Sequence, residues 1–152
     1  MQGEAMAKAL DVAGFILNYA ESVGHPISNL KLQKILYFVH RDYYGKYNEL
    51  LVDDRVFEAW HYGPVIPRVY YEYVLNGANP IVNQPQVRLD LSQEKIDFLK
   101  EKIGEYAKQK PWVLVELSHI PNGAWKQSYN PNQREVIPNC KILEEARNVE
   151  RK

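Results

Sequence analysis

The sequence predicts a mainly α fold: one compact helical bundle with a small β element between the second and third helices. Three observations predict it. Apolar residues recur at three- and four-residue steps through most of the chain, residues suited to capping helices stand where those stretches begin, and the period breaks once, between Leu50 and Trp60. The 152 residues suit a single domain, read as 1–152 with an ordered core over about 5–145 and a tail that frays after about 148.

Residues 5–22 read as the first helix, with Ala9, Ala13, Ile16, Leu17 and Ala20 on one face. Gly24 is suited to its left-handed cap, and Pro26 prevents continuation. Ser28 then stands where a hydroxyl can cap a second helix over about 29–44, "NLKLQKILYFVHRDYY". Leu32, Ile35, Leu36, Val39 and Tyr43 form its apolar stripe, and Lys31, Lys34, Arg41 and Asp42 mark the side expected to be wet. Leu30, Tyr37, Phe38 and Tyr44 widen the stripe, which predicts a central helix touched from two directions.

"LLV" and "VFEAW" flank the polar Asp53-Asp54-Arg55 and predict short extended segments or a small hairpin. Gly63-Pro64 reads as a turn, and Ile66 as extended because a proline follows it. Pro67 can open a two-turn helix carrying Val69, Tyr70, Tyr73 and Val74, which Asn76-Gly77 ends. Residues 78–92 show little pattern beyond a short strand at 87–91. Ser92 is placed to cap a helix with Ile96, Leu99 and Ile103 inward, and Pro111 to open another over 111–119. Asn122 is expected to cap a short helix carrying Trp125 and Tyr129, and Asn139 a final one bearing Ile142, Leu143, Ala146 and Val149.

Lys plus Arg equals Asp plus Glu at 19 each, so the chain lacks the basic excess with which proteins usually displace counterions from nucleic acid. No apolar run reaches the roughly 18 residues of a membrane span. Glu4 and Asp11 interrupt any signal-peptide pattern, and the single Cys140 cannot form an internal disulfide. A cytoplasmic protein without membrane contact is expected.

Little in the chain suggests a reaction. His25, His40, His61 and His119 are scattered without metal-ligand spacing, no Gly-rich phosphate loop is present, and no cofactor is expected. Cys140 stands near a helix start, where thiolates are favoured, but without a base beside it in sequence. Asp53, Asp54 and Glu58 lack a lysine at the spacing of a metal-dependent nuclease and read as a solvated loop. The turn followed by "SNLKLQK" has a helix-turn-helix outline, with Lys31, Gln33 and Lys34 able to meet bases. That helix is also apolar enough to be a core element.

"FEAWHYGPVIPRVYYEY" (57–73) concentrates aromatic residues around a corner. They can pack inward, or they can form an interface, where Tyr, Trp and Arg supply contact area at low entropic cost. Taken with "ISNLKLQKILYFVH" (27–40) and "LSHIPNGAWKQSY" (117–129), in that order and at that separation, the stretch resembles the Panacea domain family, also called SocA-like or phage-associated GepA-type. The resemblance spans nearly the whole chain. Ile35 stands where that family usually has Leu, and Val39 where it has Ala.

The resemblance implies a non-enzymatic antitoxin that neutralises a cognate toxin by direct contact and is encoded on a phage or other mobile element. The partner is then a toxin, a host or protease partner being compatible with the same surface, and nucleic acid is not expected. The binding candidates are Trp60, Tyr62, Arg68, Tyr71 and Trp125, with Lys31 and Lys34 on the second helix. Leu32, Ile35, Leu36, Phe57 and Val69 are expected in the core. The rival readings are a helix-turn-helix nucleic-acid-binding regulator and a small hydrolase or nuclease.

Overall fold

A computed structural model describes residues 7–150 as a mainly helical protein with a small three-stranded sheet. Helix α1 (Ala9–Ser22) leads into the long α2 (Asn29–Tyr47), then strands β1 (Phe57–Trp60) and β2 (Gly63–Val65). The short helix α3 (Pro67–Glu72) and an irregular segment follow. Helices α4 (Gln93–Ala107), α5 (Pro111–Ser118) and α6 (Ala124–Ser128) come next, and strand β3 (Val136–Ile137) precedes α7 (Asn139–Glu150). Residues 5 and 6 of the expected first helix, and 151 and 152 of the expected tail, lie outside the described residues.

Helix α2 is the axis of the fold, with α1, α4, α5 and α7 around it. Twelve of its nineteen residues are buried, too many for a helix with one wet side. The expected core residues Leu32, Ile35, Leu36, Phe57 and Val69 are each at most 2% exposed. Arg41 and Lys34, expected on the wet side, are also buried. Arg41 can be inside because Nη1 meets Glu145 at 2.9 Å and Nε meets Asp42 at 3.0 Å.

Several helix starts follow from local chemistry. The Ser28 and Ser92 hydroxyls each accept the backbone N–H three residues on. Pro67 and Pro111 open their helices, where a missing N–H costs nothing. Two other starts are capped from a distance. The Ala9 N–H donates to Asp54 Oδ1 at 2.9 Å, so the acidic loop after α2 serves α1. The Ala124 N–H donates to Glu145 Oε1 at 2.8 Å, so a carboxylate of α7 opens α6. Asn122, expected as the α6 cap, instead has φ 61° and leaves the N-cap position to Gly123.

The sheet order is β2-β1-β3, all antiparallel. Trp60 pairs with Gly63, so the turn is His61-Tyr62, and Gly63-Pro64 opens β2 rather than making the turn. A proline is tolerated there because β2 is an edge strand. No strand forms at 87–91. That segment lies along α1 instead, where the Val87 N–H donates to Asn18 Oδ1 at 2.8 Å and Gly14 leaves room for the Val87 side chain. Among the described residues no helix is long and apolar enough to cross a membrane.

A candidate partner-binding groove beside the hairpin

An edge strand presents unpaired backbone groups that must be covered or left to water. In this chain α2 covers them with side chains. Lys34 Nζ donates to the Pro64 carbonyl at 2.8 Å, and Gln33 Oε1 accepts the Ile66 N–H at 3.2 Å. Gln33 Nε2 then donates to Asn29 Oδ1, whose own Nδ2 donates to the Tyr70 carbonyl. One polar chain thus joins the start of α2, the edge of β2 and the end of α3. Lys34 has no solvent exposure, and burial pushes its pKa down to about 7.

Gly63 makes this close approach possible. Its φ is 119°, and a Cβ there would lie 2.7 Å from Ser118 Oγ and 2.9 Å from Lys34 Cε. Ser118 is itself buried at the end of α5, its hydroxyl donating to the Val115 carbonyl. Residues from all three aromatic-rich sequence blocks therefore interlock at one point: Lys34 from the first, Gly63 and Pro64 from the second, Ser118 from the third.

The outer layer above this latch is aromatic. Trp125 donates from Nε1 to the Trp60 carbonyl at 2.7 Å and stacks between His119, 3.6 Å away, and Tyr129, 4.6 Å away. Tyr129 Oη lies 3.2 Å from His61 Nδ1. Trp60 is half-buried, its Nε1 donating to Glu58 and its edge meeting Tyr70. The Arg134 guanidinium covers its face at 3.7 Å. A groove of about 890 Å³ opens between the hairpin, the start of α2 and the loop 129–134. Asn130 holds that loop by accepting the Asn132 N–H on its side chain and the Gln133 N–H on its carbonyl.

The sequence candidates divide accordingly. Trp60 and Tyr62 line the groove, Tyr62 being 61% exposed. Tyr71, 55% exposed, joins its rim through Trp60 and Arg134. Trp125, expected at the surface or in a pocket, is 5% exposed and lies one layer beneath because its ring faces are covered by His119 and Tyr129. Arg68 is exposed but stands outside the groove lining, paired with Glu72. Lys31 is turned to the end of α4, where Nζ donates to the Ala107 carbonyl at 2.5 Å and burial lowers its pKa. With Gln33 and Lys34 also turned inward, the residues expected to meet bases are engaged within the protein. Sequence reasoning missed Arg134 and the wall 130–134; Asn-Pro-Asn, two residues before an arginine, was the available signal.

A family model described as Antitoxin SocA-like, Panacea domain, matches residues 32–126. That span holds the whole latch and stops before the 129–134 wall. The protein named Antitoxin SocA of Caulobacter vibrioides (strain NA1000 / CB15N) is 33% identical over 125 residues. The match covers 75% of this chain and 66% of that relative's length, just under two thirds. No solved structure matches the chain.

Proposed function

The chain belongs to the SocA-like Panacea antitoxin family, and on that premise we propose that it neutralises a cognate toxin by direct contact through the groove beside the β1–β2 hairpin. The observation that carries this reading is the uncovered aromatic lip of the groove. Tyr62 and Tyr71 present rings to solvent beside the half-buried Trp60 and the Arg134 that covers it, the residue types most enriched at interface hot spots. Beneath them the latch between α2, β2 and α5 holds the backbone of the lip still, so little ordering entropy is lost when a partner docks.

In this reading the protein performs no chemistry. It acts as a single rigid domain that occupies the toxin, whose gene is its neighbour on a phage or other mobile element. The test is growth of cells co-expressing the chain with the product of the adjacent gene. Rescue by the chain, lost with the pair Tyr62→Ala and Arg134→Ala at unchanged thermal stability, supports the reading. A neighbouring product that is harmless alone, or toxic in the chain's presence, ends it.

A further inference from the structure

The groove is uniform in charge. None of its eighteen lining residues is Asp or Glu, although the chain carries 19 acids. The basic side chains of the lining are Lys34, which is sealed beneath the floor, His61 beside Tyr129, and Arg134 at the lip, the one that is always charged. Of the carboxylates on the hairpin and α3, Glu58 is engaged by Trp60 Nε1 at 2.9 Å and Glu72 by Arg68 at 2.8 Å, while the exposed Glu135, next to Arg134 in the chain, lies outside the lining. Arg134 is held flat on Trp60, and its one hydrogen bond among the described residues is a long one of 3.5 Å to Tyr71 Oη. Its outer N–H edge is thus preorganised and unspent, the arrangement that a guanidinium offers to a carboxylate in bidentate fashion.

We propose that the groove takes an acidic peptide segment of the protein partner, with a carboxylate on Arg134 and an adjacent aromatic or aliphatic side chain against Trp60, Tyr62 and Tyr129. The proposal rests on the antitoxin reading for the partner's identity, but its chemistry stands apart from it. Asn130, Asn132 and Gln133 along one wall supply amide groups for the peptide backbone. Single-stranded nucleic acid also favours aromatic faces and cations, but it needs a basic track along successive phosphates. A lone exposed arginine suits one carboxylate better.

The experiment pans a random peptide library displayed on phage against the folded chain, then measures the enriched peptides by fluorescence anisotropy. Enrichment of sequences with Asp or Glu within a few positions of an aromatic residue is expected. Arg134→Glu weakens such a peptide by about tenfold or more, Arg134→Lys weakens it less, and exchanging the peptide's acidic residue for Lys restores binding to Arg134→Glu. No enrichment, a neutral or basic consensus, an Arg134→Glu variant that binds as before, or competition by fluorescent oligothymidylate at the same site each overturn the proposal. Peptide binding as described without rescue in co-expression sinks the antitoxin reading alone. Rescue that survives Arg134→Glu sinks the acidic-segment proposal alone.

Discussion

Lys34 Nζ donates to the Pro64 carbonyl at 2.8 Å from a position with no solvent exposure, so a lysine does at the edge of β2 what a neighbouring strand would otherwise do. Its pKa near 7 lies below the 10.5 of an exposed lysine, so between those values the unfolded chain binds more protons than the folded one. Stability therefore rises as pH increases from 7 towards 9, by about 2 kcal/mol if Lys34 alone contributes. Urea unfolding across that range measures it. Lys34→Met flattens the slope, whatever it does to stability at a single pH, and an unchanged slope shows that Lys34 is not the titrating group.

Gly63→Ala places a methyl group against Ser118 Oγ and Lys34 Cε in a backbone region that side chains rarely adopt. A loss of about 2 kcal/mol or more is expected, read as a lower urea midpoint at constant m-value. Adding Ser118→Gly recovers only part of it, because Lys34 and the positive φ remain.

His40 is buried, with Nδ1 accepting the Val52 N–H, and burial lowers its pKa to about 4. The unfolded imidazole binds its proton near 6.5, so stability falls as pH drops from 6.5 towards 4, by about 3 kcal/mol in all. His40→Gln reduces this acid sensitivity in thermal melts. Carboxylates add their own losses below pH 5, so the diagnostic window is pH 5–6.5.

Glu145 accepts hydrogen bonds from Tyr37 Oη and Arg41 on one oxygen and from the Ala124 N–H on the other. Glu145→Ala leaves the buried guanidinium with Asp42 as its one carboxylate and a long hydrogen bond to Tyr106, and uncaps α6, an expected cost of about 3–5 kcal/mol. Glu145→Gln keeps an acceptor for Ala124 and loses less. Equal losses in calorimetry would show that the charge, not the cap, carries the effect.

Tyr62→Ala and Tyr71→Ala are expected to change stability by no more than about 0.5 kcal/mol, because both side chains stand in solvent. Under the proposed function, one or both weaken toxin binding by about thirtyfold, measured by calorimetric titration. Trp125→Ala costs stability instead, since its ring lies beneath the lip.

What was legible in the sequence was local. Ser28, Ser92, Pro67 and Pro111 mark helix starts because a cap or a missing N–H acts within one turn. The apolar stripe of α2 located the core. Lys34 and Arg41 defied the same stripe because their partners lie 30 and 104 residues away, at Pro64 and Glu145. Gly63-Pro64 looked like a turn because glycine and proline usually punctuate; here strand pairing set the register and each residue serves the edge contact. The aromatic corner was visible as composition, whereas the groove required the 129–134 loop to return beside it.

The dependence of α6 on Glu145 also orders events during synthesis. When the ribosome has made residues up to Trp125, Arg41 has Asp42 but still lacks its second carboxylate, and Ala124 lacks its acceptor, because Glu145 has not yet been translated. The hairpin and its aromatic lip therefore acquire their final support only after α7 has emerged. A nascent or truncated chain that stops short of residue 145 carries the signature motifs without the rigidity that a partner would meet in the finished protein.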